Sequence, residues 1–369
     1  MQEVSSARRR FDVDELNAFV KRALEATGVA PRDAQLTADV LVASDIRGIE
    51  SHGVARLERY YVDRIRDGVI DPLARECVLR ETATTLAIDA RNGLGHPVSV
   101  RTMRTTIAKA RESGAAFATV SNSNHYGIAG YYAMLALDAD CIGISSTNAG
   151  RLAAPAEGRE LMLGTNPFAY AIPATDGDSF VLDMATTTVA LGKLEIAKRL
   201  GKELRLGWAI DAEGRPTIDP DAGLAGALLP LGGFGTGAGG HKGFGLGLLS
   251  ELLCAALGGG VLVPDMPPKF YALNPGITSH FFGAIRIDAF RDPTAFKRDV
   301  AALLGRLRAS EPAPGHTRVY TAGEIEAERT REHLRDGIGL DPIVAESLER
   351  TAEKLGIIAP RSRADGVRV

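Results

Sequence analysis

The sequence predicts an α/β fold of the mixed, α+β kind, in which a central sheet-bearing region is joined to a helical domain built from both termini. Three observations carry that reading. Short β-prone runs at 85–89, 116–121, 141–146, 168–172 and 180–183 are confined to the middle of the chain. Several of them alternate with helical patterns at 98–111, 129–137 and 187–200. The beginning of the chain and its last third return to helical periodicity.

Residues 11–27 have the spacing of an amphipathic helix, with Asp12 or Asp14 near its start and Gly28 after its end. Pro31 opens a second helix, and Gly48 interrupts it where the backbone needs an open or left-handed residue. Ser51 then N-caps a third helix, expected from His52 to about Asp67, with Gly68 as its stop. The apolar set Val54, Leu57, Tyr61 and Ile65 lies on one side of that helix. His52, Arg56 and Tyr60, at i, i+4 and i+8, form a row on another side. Taken alone, this row is either a solvated polar face or a site that needs a domain, a subunit or a ligand to cover it.

Further along come a strand at 208–210, a turn at Glu213-Gly214-Arg215-Pro216, and a glycine-rich segment from Gly232 leading into an apolar helix at 244–257. A strand at 280–287 and helices at 293–308, 323–335 and 341–354 complete the chain. The expected division is a helical domain from 1–80 plus 315–369 around a central domain at 81–314. The arginine-rich tail after Pro360 is expected to fray.

Composition removes several function classes. Of the 369 residues, 45% are hydrophobic and 24% charged, and the formal net charge of −3 offers no basic field for nucleic acid. Cys77, Cys141 and Cys254 have no paired spacing, which argues against disulfides and zinc and for a reducing cytoplasm. The apolar run 244–263 is broken by Ser250 and Glu251 and rich in glycine, so it reads as a buried helix rather than a membrane span. No apolar signal core follows Arg8-Arg9-Arg10.

Few residues stand out as chemistry-bearing. His125 lies in Ser121-Asn122-Ser123-Asn124-His125-Tyr126-Gly127, between a strand-like run and a helix, where α/β enzymes place working groups; it is equally a loop histidine bonded to nearby backbone. Asp183 ends a strand and either caps the helix at 187–200 or orients a histidine or a ribose hydroxyl. The run Gly235-Thr236-Gly237-Ala238-Gly239-Gly240 formally matches G-x-G-x-x-G, but it lacks a clear preceding strand and a following acid, so a standard dinucleotide fingerprint is rejected. Lys242 follows it at a helix entry, where free backbone N–H groups and an ammonium can meet a phosphate. No H-E-x-x-H or other paired metal spacing occurs. A hydrolase built on Ser51 and His52 is weak, since neighbours on an α-helix point roughly 100° apart.

Six segments, in order, resemble the type 2 malate/L-lactate dehydrogenases: Ser51-His52-Gly53 with Arg56 and Tyr60, residues 122–130, Gly164-Thr165-Asn166-Pro167, Leu182-Asp183-Met184-Ala185-Thr186, Gly207-Trp208-Ala209-Ile210-Asp211 and Gly240-His241-Lys242-Gly243. Relatives act on malate, lactate, ureidoglycolate, sulfolactate, diketogulonate and cyclic imino acids. The resemblance implies a non-Rossmann NAD or NADP site, usually near a homodimer interface, and a small 2-hydroxy or 2-oxo acid as substrate. It implies His52 as general acid/base with Ser51 beside it, His125 near nicotinamide and substrate as the alternative proton group, and Asp183 in cofactor binding or proton transfer. Arg56, with Tyr60, Thr165 and Asn166, is implied on the substrate side; a planar guanidinium fork suits a carboxylate. Asn148, Met184, Ala185, Thr186, Lys242 and Glu324 fall where relatives contact the dinucleotide. Two positions depart from the family pattern: His241 replaces the usual aromatic residue, and Val319-Tyr320-Thr321-Ala322-Gly323-Glu324 replaces a Pro-Gly-Glu pattern.

The expected reaction is reversible hydride transfer between a nicotinamide and the carbonyl carbon of a 2-oxo acid, with a histidine of near-neutral pKa moving the proton. The competing readings are an NADPH-dependent cyclic imino acid reductase on the same fold, a cofactor-free hydrolase or lyase of a small acid, and a non-catalytic small-molecule binding protein.

Overall fold

The computed structural model describes residues 8–177, 179–267 and 276–363. A short strand β1 (Arg9–Phe11) precedes α1 (Val13–Ala26) and α2 (Pro31–Ile46). In α1 the buried side chains are Leu16, Phe19, Val20, Ala23 and Leu24, the i, i+3, i+4 stripe of an amphipathic helix. After α3 (Asp63–Arg66), strands β2 (Cys77–Glu81) and β3 (Thr85–Asp89) pair antiparallel. Helix α4 (Gly95–Ser113) then crosses over to β4 (Ala115–Ser123), which runs parallel to β3. Helix α5 (Ala129–Met134) leads to β5 (Cys141–Thr147), β6 (Phe168–Ile172) and β7 (Phe180–Met184), an antiparallel set. Next come α6 (Leu191–Arg199), β8 (Ala209–Ile210), β9 (Pro216–Thr217), α7 (Pro220–Ala225), β10 (Ala227–Leu228) and α8 (Gly240–Glu251). The chain closes with β11 (Thr278–Arg286), α9 (Pro293–Arg308), α10 (Glu324–Asp336), β12 (Ile338–Leu340) and α11 (Pro342–Leu355).

Strand β11 inserts between β4 and β5, antiparallel to both, which gives a seven-stranded mixed sheet of order β2-β3-β4-β11-β5-β6-β7. Only β3 and β4 run parallel in it, so it is not the doubly wound sheet of a Rossmann fold. Helices α4 and α5 pack their apolar faces, including Val100, Met103, Tyr132 and Ala133, against this sheet. A second cluster joins the two ends of the chain. Phe11, Leu16, Phe19 and Val20 meet Leu57 and Tyr61 on one side and Ile338, Leu340, Leu348 and Ala352 on the other. Truncating a buried aromatic such as Phe19 to alanine costs about 3–5 kcal/mol in such a setting. The pairing of β1 with β12, Arg9 opposite Leu340, stitches the same junction.

The structure adds elements that the sequence reading lacked: β1, β2, β9, β10, β12 and α7. A three-stranded sheet, β10-β8-β9, with α6 and α7, has its own small core of Leu194, Leu204, Ala209 and Leu228. Helix α8 starts four residues earlier than expected, because Gly239 (φ +91°) supplies a left-handed residue ahead of it. Fraying was expected after Pro360; there Ser362 bridges Phe11 and Arg363 pairs with Asp12, while 364–369 lie outside the described residues. Among the described residues no helix is long and apolar enough to cross a membrane.

Candidate active site

The single helix expected from His52 to Asp67 is instead four pieces. Glu50–His52 and Val54–Arg56 are 3-10 turns broken at Gly53, Leu57–Val62 is a π-helix, and only then does α3 begin. The cause is tertiary. Buried Asp45, near the end of α2, accepts a hydrogen bond from the Val54 N–H at 2.7 Å. Its carboxylate also occupies the space beside Gly53, where a Cβ would come within 2.0 Å of Oδ1. The chain therefore breaks between two 3-10 turns at Gly53 instead of running on as one α-helix, and the wider π turn that follows changes which side chains share a face.

Tyr61, expected in the apolar stripe, is buried there, yet its hydroxyl lies 2.5 Å from His125 Nδ1. His52 stacks on His125, ring centroids 5.6 Å apart, and Tyr60 meets His125 edge-on at 5.4 Å. The Arg56 guanidinium sits 4.6 Å from the centre of the Tyr60 ring and donates from Nε to the Ser51 carbonyl at 2.6 Å. Ser51 Oγ is 2.8 Å from His52 Nδ1. The expectation that helical geometry would keep these two apart is thus corrected, since the 3-10 turn brings them together. The row His52, Arg56, Tyr60 does have a cover: the loop between β4 and α5 that carries His125.

Three residues that sequence reasoning did not single out belong to this cluster. His96, at the start of α4, is fully buried, meets Tyr61 edge-on at 4.9 Å and lies 6.4 Å from His125. Arg64 donates to the Asn124 side chain at 3.2 Å, which anchors the histidine loop. No short motif marks any of these residues. Tyr61 and Arg64 were masked by their place in an apolar helix, and His96 by a distance of 29 positions along the chain from His125.

Burial dominates the electrostatics. It pushes His52 down to about 4, helped by the positive Arg56. His125 is lowered well below the usual range by burial and by His52, His96, Arg56 and Arg64, and burial takes His96 down to about 3. The near-neutral histidine of the sequence reading is therefore corrected: these imidazoles are neutral at pH 7. Asp45 is pushed up to about 8 by burial, against the Val54 hydrogen bond that lowers it.

Asp183, in edge strand β7, caps neither α6 nor a histidine. Its Oδ2 accepts from the Gly130 N–H at 2.7 Å, in the first turn of α5. A Cβ at Gly130 would lie 2.8 Å from that oxygen, so the glycine admits the close approach. Burial raises Asp183 to about 6, opposed by this bond and by Arg47. Met184 and Ala185 continue the strand end half-buried, and Thr186 is tied to the Thr165 carbonyl through its N–H at 2.9 Å.

Asn148 and Asn166 are turned inward. Asn166 is 0% exposed; its amide donates to Gly247 O and Glu251, and its carbonyl accepts from Ala149 N–H at 3.0 Å. Both amide donors of Asn166 are thus committed within the protein. The Asn148 side chain likewise bonds Ser279 N–H, Val261 O and Glu251.

The residues present fit a nicotinamide dinucleotide. Helix α8 has no side-chain cap; its Gly240 and Lys242 N–H groups are bonded to Gly235 O and Gly239 O, and the Lys242 ammonium stands exposed at the helix entry, where it can meet a phosphate. A Cβ at Gly243 would fall 2.2 Å from Leu231 O, so this glycine serves loop packing rather than a Rossmann turn. A groove lined by Arg47, Ser179, Val181, Thr321, Gly323 and Glu324 runs beside β7. Glu324 borders it, but its carboxylate already accepts from Thr321 N–H at 3.0 Å and pairs with Arg318. Among the described residues no cluster of three histidine, cysteine or acidic side chains is placed to hold a metal.

Comparison with known proteins identifies the family. The malate/L-lactate dehydrogenase family model matches residues 11–349. A malate dehydrogenase of Pyrococcus abyssi is 41% identical over 94% of this chain and 95% of its own length. A (2R)-3-sulfolactate dehydrogenase (NADP(+)) of Chromohalobacter salexigens is 36% identical over 68% of this chain and 73% of its own. Among solved structures, the Pyrococcus horikoshii malate dehydrogenase superposes with TM-score 0.88 at 39% identity, covering 97% of this chain and 99% of that one. The delta1-piperideine-2-carboxylate reductase of Pseudomonas syringae does so with TM-score 0.82 at 26% identity, covering 93% and 100%.

Proposed function

The chain belongs to the malate/L-lactate dehydrogenase family, and from that premise we propose that the histidine cluster is the proton-handling centre of an NAD(P)-dependent oxidoreductase acting on small 2-hydroxy and 2-oxo acids. The observation that carries the assignment is the stack of His52 on His125 with the Arg56 guanidinium held over Tyr60 beside it. When bound, NAD or NADP supplies the hydride acceptor or donor.

The chain's own residues divide the remaining work. Arg56 spends Nε on the Ser51 carbonyl, which points its remaining N–H edge toward a substrate carboxylate. Burial keeps the Tyr61 phenol protonated; with its O–H donated to His125 Nδ1, the ring proton sits on Nε2 as a donor for the substrate oxygen. With the His52 proton on Nδ1, shared with Ser51 Oγ 2.8 Å away, the Nε2 lone pair takes the hydroxyl proton during oxidation. A neutral imidazole is the form this base needs, and burial supplies it. In the reducing direction, a carboxylate on Arg56 cancels one of the two causes that hold His52 neutral and eases its protonation. The loops at 148–149 and 164–167 and the strand end 183–186, with Lys242 and Glu324, would hold the dinucleotide.

The helical domain at 1–80 plus 315–369 and the central domain at 81–314 are part of the same proposal, supported by the cluster that joins the termini. A homodimer is supported by Leu246, Leu249, Leu252 and Leu257, which stand exposed along α8 and its continuation. Free Cys77, Cys141 and Cys254 support a cytoplasmic setting. The test is nicotinamide absorbance, followed with NADH and NADPH against oxaloacetate, pyruvate, sulfopyruvate, oxalurate and a cyclic imino acid. Oxidation with at least one pair is expected. Absence of both cofactor binding and turnover would return the field to a cofactor-free hydrolase, a lyase or a binding protein, and turnover of the cyclic imine alone would favour the reductase.

A further inference from the structure

Glu251 is the one charged residue in the apolar run 244–263, and the reaction above gives it nothing to do. It is 3% exposed, and among the described residues no lysine or arginine pairs with it. A carboxylate in such a place needs donors, and it has three. Oε1 accepts from Val263 N–H at 2.8 Å and, at 3.5 Å, from the Asn148 amide; Oε2 accepts from the Asn166 amide at 3.1 Å. Burial raises its pKa and these bonds oppose that. Every partner is a donor, so the ionised form is the one the surroundings match; a carboxyl proton would face N–H groups.

What hangs from this carboxylate is the candidate cofactor cradle. Asn166 holds φ +29°, a left-handed conformation uncommon outside glycine, and the residue after it is Pro167. Its side chain keeps it there by bonding Glu251, Gly247 O and Ala149 N–H together. The Thr165 and Asn166 carbonyls in turn accept from Thr186, the end of the Asp183–Thr186 segment. Asn148 ties the loop after β5 to β11 through Ser279. Two loops, a strand end and helix α8 thus share one buried anion.

We propose that Glu251 is a positioning residue that sets the geometry of the dinucleotide site by fixing the loops at 148–149 and 164–167 through their asparagine amides. The proposal rests on the reading of those loops as the cofactor site. Glu251→Gln is nearly isosteric and tests it, because the new NH₂ must face another N–H donor. Turning the Asn166 amide over to relieve that clash takes the acceptor from Ala149 N–H. The readout is the dissociation constant of NADH or NADPH, by fluorescence titration without substrate. Loss of about one well-made buried hydrogen bond predicts roughly tenfold weaker binding, with kcat at saturating cofactor within about threefold of wild type.

A second variant separates positioning from general damage. In Glu251→Gln with Asn166→Asp the charge moves across the bond, so the introduced carboxylate can accept from both the introduced amide and Ala149 N–H, while the bond to Gly247 O is given up. Partial recovery of the lost binding free energy is expected. Cofactor affinity of folded Glu251→Gln within about twofold of wild type, or no recovery in the double variant, would overturn the proposal. Should Glu251→Gln not fold, the double variant decides alone: near-wild-type affinity supports the proposal, and failure to fold or to bind overturns it. Wild-type protein that binds neither nicotinamide would instead sink the cofactor reading itself.

Discussion

Replacing Asp45 with asparagine isolates the energetic cost of the turn that presents His52. The acid is buried, one oxygen takes the Val54 N–H, and among the described residues Oδ1 has no hydrogen-bond partner. Burial raises its pKa from the ordinary 3.8 to about 8, with the charge of nearby Glu50 adding to the effect. Between those two values the folded chain binds a proton that the unfolded chain has lost, so stability falls as pH rises through that window. Each pKa unit corresponds to about 1.4 kcal/mol, and pH 7 lies roughly three units above the unfolded value, which gives a penalty on the order of 4 kcal/mol at most. Asparagine keeps the acceptor for Val54 N–H and never ionises. The unfolding entropy expected for a chain of this length is about 0.8 kcal/mol/K, so Asp45→Asn should raise the apparent melting temperature by about 5 °C at pH 7 and by about 2 °C at pH 5. Thermal scans by circular dichroism at the two pH values measure this. Equal shifts at both, or destabilisation at pH 7, would refute a protonated Asp45.

Other substitutions probe the same cluster. Arg56→Ala should raise KM for the acid about 10²-fold while cofactor affinity holds, and Arg56→Lys should recover little, because it lacks both the fork and the bond to Ser51 O; steady-state kinetics decide this. Tyr61→Phe removes the donor that sets the His125 tautomer and should lower kcat about tenfold with little change in melting temperature. Gly53→Ala drives a methyl group into the Asp45 carboxylate and should cost about 3 kcal/mol of stability along with activity; denaturant titration reads the first loss and initial rates the second.

Much of the scaffold was legible because local signals and packing agree. Phe168–Ile172 and Pro293–Arg308 appear with the bounds their patterns suggested, and Pro31 opens α2 as expected. Three-residue partners such as β1 and β12 were not legible, since each is defined only by the other, more than 300 positions away. The site divides in the same way. Ser51, His52, Arg56, Tyr60 and His125 were visible as residue types, but the break at Gly53 comes from Asp45, a side chain the helical pattern of α2 gives no reason to mark. The inward turn of Asn166 likewise depends on Glu251, which in sequence was merely an interruption in an apolar run.

The most direct test of the proton-transfer assignment compares single-turnover rates of wild type, His52→Gln and His125→Gln, each preloaded with the nicotinamide it binds and mixed with the best acid from the panel. His52→Gln should lose about 10²–10⁴-fold in the chemical step, with cofactor affinity unchanged and a smaller loss for His125→Gln. A His52→Gln enzyme that turns over at nearly the wild-type rate would contradict the assignment of His52 as the proton-transfer group.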